Sequence, residues 1–258
     1  MAQEKVALIT AGGSGQGAAA ARRLAQDGYQ VAILSSSGKG EALANELGGV
    51  GVTGSNQSDD DLKRLVDLAM ARWGRIDALV NSAGHGPRAQ ILAIPDEDWH
   101  LGMEVYFLSA VRPIRLVTPI MAAQGGGAIV NMASILGAVG FATAPAYTAA
   151  KHGVSGLTKS AAIAYSSQGV RVNSVHPGYI ETPLIEQIDQ DIREVFIEEF
   201  DEELVVSPNA MRLDRLNAGA PFLNSHASHR LTDILGVVEN GSIRIEGVDV
   251  RAVPVSEY

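Results

Sequence analysis

The first fifty residues contain the feature that most restricts the fold. An apolar run, Val6-Ala7-Leu8-Ile9, stops at a cluster of glycines, and an alanine-rich stretch, Ala18 to Gln26, follows it. A second apolar run, Val31-Ala32-Ile33-Leu34, comes after Gly28. This order predicts a strand, a tight loop, a helix and a second strand, which together form a βαβ unit with parallel strands.

The same alternation continues along the chain. Further helices are predicted over residues 41–47, 62–73, 99–121 and 147–166, and further strands over residues 78–80, 128–131 and 170–175. Strands that alternate with helices pair in parallel through right-handed crossovers. We therefore expect an α/β fold, a doubly wound parallel sheet of the Rossmann type with helices on both faces.

Charge and composition exclude several functions. The formal net charge of −9 has the wrong sign for binding nucleic acid or anionic membranes by bulk charge. The chain has no cysteine, which excludes disulfides and cysteine-ligated zinc, and its histidines lack metal-ligand spacing, so no metal site is predicted. No apolar run approaches the roughly 18 residues of a membrane span, and we expect a cytoplasmic protein.

The loop Thr10 to Gly17 joins a strand to a helix inside the βαβ unit. In that setting glycines let the backbone approach a pyrophosphate, and the helix N-terminus supplies free N–H groups. The alternative is a glycine-rich turn made only for packing the helix on the sheet. The pattern favours a dinucleotide site, whose loop residues are Gly12, Ser14, Gly15, Gln16 and Gly17.

Tyr147 and Lys151 are four residues apart in a predicted helix and so share a face. A tyrosine has an unperturbed pKa of about 10, and a nearby cation favours the phenolate and lowers that pKa toward neutrality. Alone, such a pair is usually an ordinary surface pair. Ser134 changes this, because it follows a buried strand at its carboxyl end, where doubly wound sheets bind ligands.

Together these segments make the chain similar to the short-chain dehydrogenase/reductase family over about residues 3–190. The matching segments are Thr10 to Gly17, Asn81-Ser82-Ala83-Gly84, the set Ser134, Tyr147 and Lys151, and Pro177 to Thr182. The resemblance implies NAD(P)(H)-dependent interconversion of a carbonyl and a secondary alcohol on a small molecule. It gives Tyr147 the acid–base role, Ser134 a hydrogen bond to the substrate oxygen, and Lys151 contact with the nicotinamide ribose.

The resemblance also implies the remaining cofactor contacts. These are Asn56, which matches the residue near the adenine amino group, and Asn81, Ala83, Gly84, Pro177, Gly178, Ile180 and Thr182. Ser35 ends the second strand, where a carboxylate would bind the ribose 2′-hydroxyl and repel a 2′-phosphate. Ser35 and Ser36, with Lys39 nearby, can receive that phosphate, so NADP is predicted, with NAD as the alternative.

Two residues depart from the family pattern. Ala11 replaces the first loop glycine, and we expect a tight turn to accept it with a negative φ. Tyr106 stands where the family has an Asn that anchors a water in the proton relay, and a phenol lacks the donor–acceptor pair of an amide. Three outcomes are open: the Tyr106 hydroxyl replaces the amide in the proton relay, the relay follows a different route, or catalytic activity is low. The alternative function is therefore a dinucleotide-binding protein with little or no catalysis.

Residues 196–258 depart further. They hold 5 of the basic residues against 11 of the acidic ones, and they resemble the start of phage prohead (head maturation) proteases, with His226 at the histidine position. The serine of such a site is missing, so no complete peptidase is expected. We predict a domain over 1–195 and an atypical segment, or the second part of a chimera, over 196–258. The alternative is a divergent terminus in which Gly241 to Gly247 adds a last strand.

The resemblance implies a homo-oligomer, a dimer or a tetramer. In the family the two long helices, here 99–121 and 147–166, form a paired dimer face. The residues expected in that face are Ala110, Val111, Ala150 and Val154.

Overall fold

The computed structural model describes residues 4–84, 91–141, 143–178 and 180, together with the backbone of three short strands between residues 237 and 249. The chain divides into two units, Met1–Asp189 and Gln190–Tyr258. The predicted boundary between residues 195 and 196 lies outside the described residues and stays a prediction.

The first unit contains a six-stranded parallel sheet in the order β3-β2-β1-β4-β5-β6. Its strands are β1 (Val6–Thr10), β2 (Gln30–Ser35), β3 (Val50–Thr53), β4 (Ala78–Asn81), β5 (Gly127–Met132) and β6 (Val170–Val175). The order reverses between β1 and β4, which creates the crevice in which such sheets bind ligands. The doubly wound sheet expected from the sequence is confirmed.

Helices cover both faces of this sheet. They are α1 (Gly15–Gln26), α2 (Lys39–Glu46), α3 (Asp59–Trp73), α4 (Asp96–Met103), α5 (Ser109–Ala123) and α6 (Pro145–Tyr165). Ala7 and Ile9 of β1 pack in a core with residues of α1 and α2, whereas Leu8 packs in a second core with α3, α5 and α6. Because successive strand residues point to opposite faces, a strand buried on both sides reads as a continuous apolar run, as β1 does from Val6 to Ile9.

The edge strand β3 had no range in the sequence prediction, because Val50–Thr53 is short and interrupted by glycine. Glycine is needed there for close packing. A Cβ at Gly51 would lie 2.5 Å from the Cα of Glu41, and one at Gly49 would lie 2.1 Å from the carbonyl oxygen of Val31. The residues that weaken the strand signal are therefore the ones that let β3 approach β2 and α2.

The long helix predicted over residues 99–121 is interrupted. A π-helical turn, Glu104–Leu108, separates α4 from α5, and α5 contains Pro113 and Pro119. Periodicity alone does not distinguish one long helix from two segments joined by a wider turn. Such turns are frequent at functional sites, and this one carries Tyr106.

The same stretch bears on the expectation that no apolar run approaches the length of a membrane span. Among the described residues, the helical stretch Asp96–Ala123 is long and apolar enough to cross a membrane, but 56 % of its most apolar window is buried inside the protein. Core helices of soluble proteins pass the same test, so the finding is weak evidence for a membrane span.

Three of the four residues expected at a dimer face are buried within the protomer, and the prediction for Val111 stays a prediction. Ala110, Ala150 and Val154 are buried inside the protomer itself, against Tyr106, Ala133 and their neighbours, and Val111 is half-buried. These small apolar residues pack against neighbouring helical segments and Ala133 of the same protomer, which produces the same sequence pattern as an interface.

The second unit is described only by three strands. β7 (Val237–Glu239), β8 (Ser242–Ile245) and β9 (Val248–Asp249) form an antiparallel sheet in the order β7-β8-β9. β8 pairs with β7 and β9 and is not one of the six strands of the larger sheet. The alternative in which Gly241 to Gly247 adds a last strand to the larger sheet stays a prediction.

Candidate active site

A cavity of about 540 Å³ lies at the carboxyl ends of the strands. The loops that follow all six strands of the larger sheet contribute to its wall. The lining residues that the sequence analysis singled out are Ser14, Gly15, Gln16, Ser35, Ser36, Asn56, Ala83, Gly84, Ser134, Tyr147, Lys151, Pro177, Gly178 and Ile180. One continuous cavity therefore joins the glycine loop to the predicted catalytic residues.

The glycine loop leaves donors at the start of α1. Ser14, the residue before the helix, makes no side-chain capping hydrogen bond, so its hydroxyl and the first N–H groups of α1 are left for a ligand. A Cβ at Gly13 would lie 2.4 Å from the Ser35 hydroxyl oxygen. Glycine here lets the loop lie directly against the end of β2.

Gly12 and Gly17 do not line the cavity. A Cβ at Gly12 would lie 2.6 Å from a methyl carbon of Ile33, and a Cβ at Gly17 would lie 2.5 Å from the carbonyl oxygen of Ala11. Both glycines hold the loop close to the sheet and helix. Their predicted contact with a cofactor stays a prediction.

Ala11 corrects the expectation of a negative φ. Its φ is +51°, in the left-handed region, and it is the only non-glycine residue with positive φ among those that the structure describes. The chain has to reverse sharply between β1 and α1, and the loop path fixes this angle whichever residue occupies the position.

The wall next to β2 is rich in hydroxyl groups. Ser35 is 7 % exposed, and its hydroxyl oxygen accepts a hydrogen bond from the N–H of Ser37 at 3.4 Å. Ser36 is exposed and lines the cavity. At the same end of the cavity, the side-chain nitrogen of Asn56 is buried and has no hydrogen-bond partner.

Two hydrogen bonds fix Ser134 at the end of β5, one to its hydroxyl oxygen and one to its carbonyl oxygen. Its hydroxyl oxygen accepts a hydrogen bond from the N–H of Leu136 at 3.1 Å, which leaves the hydroxyl proton for a ligand. Its carbonyl oxygen lies 2.9 Å from Nδ1 of His176. A carbonyl only accepts, so Nδ1 carries the proton, and Nε2 lies 2.9 Å from the hydroxyl of Ser174.

The sequence analysis gives His176 no role in the site, so its contact with Ser134 was not predicted. The two residues are 42 positions apart in the sequence. The only available signal was that His176 directly precedes the Pro177-Gly178 segment.

Lys151 is buried between two tyrosines. Its side chain donates a hydrogen bond to the carbonyl oxygen of Met132 at 2.5 Å. Its nitrogen lies 5.6 Å from the ring centre of Tyr147 and 5.8 Å from that of Tyr106. Burial disfavours the ammonium and lowers the pKa of Lys151 to about 8. The two rings meet edge to face, with centres 4.6 Å apart.

Asn81 lies behind the cavity wall, at the end of β4. It is 4 % exposed, and its side-chain nitrogen donates to the side-chain oxygen of Asn131 at 2.9 Å. Asn131 in turn donates to the hydroxyl of Thr158 on α6 at 3.0 Å. Asn81 thus links β4 to β5, and its predicted cofactor contact stays a prediction.

Other lining residues were not predicted as site residues, and one predicted residue lies outside the structure's scope. Ser55, Gln57, Ser82 and Tyr106 line the cavity, and Ser82 belongs to a segment that the sequence had already marked. Thr182 lies outside the described residues. Within the described ranges, no group of three or more histidine or acidic side chains could hold a metal ion.

Comparisons with known proteins identify the family and the fold. The sequence model for short chain dehydrogenases matches residues 5–193. Cyclohexanol dehydrogenase of Acinetobacter sp. (strain SE19) is 39 % identical over 200 residues, which cover 72 % of this chain and 77 % of that protein. Cis-4-hydroxycyclohexanecarboxylate dehydrogenase of Sinomonas cyclohexanicum is 39 % identical over 196 residues, 74 % and 79 % of the two chains. The crystal structure of levodione reductase superposes with a TM-score of 0.70 at 30 % identity and covers 74 % of this chain and 78 % of that one.

Proposed function

Since the chain belongs to the short-chain dehydrogenase/reductase family and is an NAD(P)-dependent oxidoreductase acting between carbonyl and alcohol, we propose that Tyr147 is its acid–base residue. One observation carries the proposal. Tyr147 lines the same cavity as Ser134, and the nitrogen of Lys151 lies 5.6 Å from its ring centre. Tyr106 also lines the cavity and lies 5.8 Å from the Lys151 nitrogen, but Tyr147 is the tyrosine that stands four residues before Lys151 on α6, as the family resemblance requires.

The chemistry assigned to the chain is proton transfer. During oxidation the Tyr147 phenolate takes the proton from the alcohol oxygen, and during reduction the phenol returns it to the carbonyl oxygen. Ser134 donates a hydrogen bond to that oxygen. The cationic form of Lys151 favours the phenolate. Hydride transfer is the chemistry that a nicotinamide cofactor supplies when it is bound.

The cavity fits a dinucleotide. The glycines let the loop pack closely against the sheet, which leaves space in the cavity. The start of α1 offers uncapped N–H groups, and the buried side-chain nitrogen of Asn56 has no hydrogen-bond partner. Pyrophosphate oxygens accept hydrogen bonds from such helix N-termini. Residues of the Thr10 to Gly17 loop would hold the pyrophosphate, and Lys151 would contact the nicotinamide ribose.

We propose NADP as the cofactor, with NAD as the alternative. No carboxylate follows β2; instead Ser36 offers an exposed hydroxyl at the cavity, and α2 begins at Lys39 with the positive end of its dipole. A 2′-phosphate would find the Ser36 hydroxyl at the cavity, with Lys39 three residues further along the chain, while the Glu41 carboxylate in the first turn of α2 accepts a hydrogen bond from the N–H of Thr53.

The cofactor proposal is tested by Ser36→Ala. Loss of the hydroxyl should weaken NADP(H) binding by roughly tenfold or more, the effect of one hydrogen bond to a charged group. NAD(H) affinity of the same variant is the control, because the two cofactors differ only in the 2′-phosphate. Ser35→Asp should shift the preference toward NAD. Equal losses for both cofactors in Ser36→Ala, measured by fluorescence titration, would contradict the proposal.

The substrate class that we propose is alicyclic secondary alcohols and the corresponding cyclic ketones. Two relatives, each 39 % identical, are named for cyclohexanol and for cis-4-hydroxycyclohexanecarboxylate. Both compounds carry a secondary hydroxyl on a six-membered ring. Turnover of cyclohexanol compared with open-chain secondary alcohols of equal carbon number tests this class.

The acid–base proposal is tested by Tyr147→Phe. We expect turnover to fall by more than about a hundredfold, while the cofactor Kd stays within about threefold, because the phenol acts on the substrate oxygen. Tyr165→Phe is the matched control, since Tyr165 lies on the same helix and packs at the far end of the core. A Tyr147→Phe enzyme that keeps a tenth of the wild-type rate would rule the assignment out.

A second candidate is a dinucleotide-binding protein with little catalysis. It is favoured by Tyr106, which stands where the family resemblance led us to expect an Asn. Cofactor binding without turnover of any alicyclic or open-chain ketone would support it.

Three further statements remain proposals. The protein acts in the cytoplasm, it forms a homo-oligomer, and residues 196–258 form a segment apart from the dehydrogenase domain of residues 1–195. The resemblance of that segment to phage prohead proteases, including His226, concerns residues outside the described ranges.

A further inference from the structure

The Lys151 ammonium is buried without an anionic partner. The residue is 4 % exposed, and none of the ion pairs between described residues includes it. Its one hydrogen bond goes to the carbonyl oxygen of Met132. A cation in such a place normally loses its proton unless something else stabilises the charge.

Two aromatic rings surround the rest of the ammonium. Tyr106 and Tyr147 place their ring centres 5.8 Å and 5.6 Å from the nitrogen, within the distance at which a ring face attracts a cation. The rings are nearly perpendicular, at 85°, so the ammonium sits in the corner that they form. They are also the titratable side chains that the contacts place around it.

The Tyr106 ring is fixed in this position by its surroundings. It is 3 % exposed and lies in the middle of the π-helical turn Glu104–Leu108. Gly84 lies beside the ring, and an added Cβ there would lie 2.9 Å from Tyr106 Cδ1 and 3.9 Å from the Lys151 nitrogen. The glycine leaves the space that the ring needs.

We propose that Tyr106 is a positioning residue whose ring face, together with that of Tyr147, holds the Lys151 side chain as a cation in the cavity. The aromatic ring of Tyr106 stabilises the charge of Lys151, and the Tyr106 hydroxyl is not required for this. The inference rests on the proposed function in so far as the held cation serves the Tyr147 phenolate. It gives Tyr106 a definite task at a position where the sequence left three outcomes open.

The direct test is the titration of Lys151 by NMR. The chain has five lysines (Lys5, Lys39, Lys63, Lys151 and Lys159), so protein labelled with ¹³C at lysine Cε gives five resolvable signals, and Lys151→Arg identifies the one of interest. Tyr106→Leu should lower the titration midpoint of Lys151 by roughly half a pH unit or more, because the ring no longer stabilises the charge. Tyr106→Phe should leave the midpoint unchanged.

Two further variants separate the ring face from packing. Phe107→Leu is the matched control, because it removes a ring from the same π-helical turn that lies against Gly153 and not against the ammonium; it should leave the midpoint unchanged. Trifluorophenylalanine at position 106 keeps the ring shape and weakens its face, and it should lower the midpoint as Tyr106→Leu does. This variant also serves if Tyr106→Leu fails to fold.

The pH profile of alcohol oxidation gives the second readout. A Lys151 that is less often cationic favours the Tyr147 phenolate less, so the rising limb of kcat/KM should move to higher pH in Tyr106→Leu. The rate should fall several-fold at pH 7 and recover at alkaline pH. Superimposable Lys151 titrations in wild type, Tyr106→Leu and the trifluoro variant would overturn the inference, and so would a Tyr106→Phe shift equal to that of Tyr106→Leu. The NMR result does not depend on turnover, so a failed acid–base assignment for Tyr147 would be recognised separately.

Discussion

Ala11 carries a side chain at a backbone position that suits glycine. Its φ of +51° brings Cβ toward the following carbonyl oxygen, which costs about 1–2 kcal/mol for an L-residue. The same residue's carbonyl oxygen occupies the space in which a Cβ at Gly17 would lie. The loop therefore keeps its path at the expense of local strain.

Ala11→Gly should raise the free energy of unfolding by about 1 kcal/mol. Relief of the strain exceeds the entropy that glycine adds to the unfolded chain. Urea denaturation measures the change. Ala19→Gly is the control, because Ala19 is exposed inside helix α1 and its loss should lower stability by about 1 kcal/mol. A destabilised Ala11→Gly protein would show that the methyl group makes contacts that outweigh the strain.

Residue types in this site were easier to predict than their conformations and supports. The spacing of Ser134, Tyr147 and Lys151 marked the residues that meet in one cavity. The φ of Ala11 depends on the path of the loop, and the contact of His176 with Ser134 spans 42 positions. Neither leaves a periodic signal in the sequence.

At the scale of elements, a buried chain of polar groups joins β4, β5 and α6. Asn81 donates to Asn131, Asn131 donates to Thr158, and the Thr158 hydroxyl donates to the carbonyl oxygen of Val154 at 2.8 Å. Asn131 is fully buried in the middle of this chain. Because both of its neighbours are also buried, neither can turn to water if Asn131 is lost.

Asn131→Ala should lower the free energy of unfolding by about 2–3 kcal/mol, since it removes a partner from two buried polar groups. Asn173→Ala is a matched control on the adjacent strand β6, where the side chain is exposed, and it should change stability by less than about 0.5 kcal/mol. Chemical denaturation of both variants decides the matter. Equal effects would mean that the buried chain adds nothing beyond strand propensity.

The sequence predicted the elements whose apolar residues are regularly spaced. It did not predict the elements in which that spacing is locally interrupted. β1, β2 and α3 are bounded by glycine or capping residues and have continuous apolar patterns. β3 has glycine at its centre, and the segment from α4 to α5 keeps its apolar residues through the π-helical turn. A change in the number of residues per turn moves side chains around the axis without changing composition, so the sequence showed one helix.

At the scale of the whole molecule, Ala150 and Val154 are too buried to contact a second protomer. A contact through α6 therefore has to use other residues of that helix. Ala150 and Val154 face inward on α6, whereas Ile163 is 77 % exposed. Gly156 lies seven residues before Ile163, about two turns of helix, and a Cβ there would meet nothing within 4 Å. An exposed isoleucine on the same face as an uncovered glycine suits close approach of a second helix.

Ile163→Glu should therefore convert an oligomer of this protein to smaller species. Its side chain is mostly outside the protomer, so the charge should cost the folded protomer little, and the change in association reports on the contact. Leu68→Glu is the control, because Leu68 is 41 % exposed on α3, a different helix, and the same substitution there should leave the assembly intact. Sedimentation velocity at micromolar concentration measures both. A wild-type protein that sediments as a monomer would show that the contact does not exist. Equal dissociation of the two variants would show that the contact is not at Ile163.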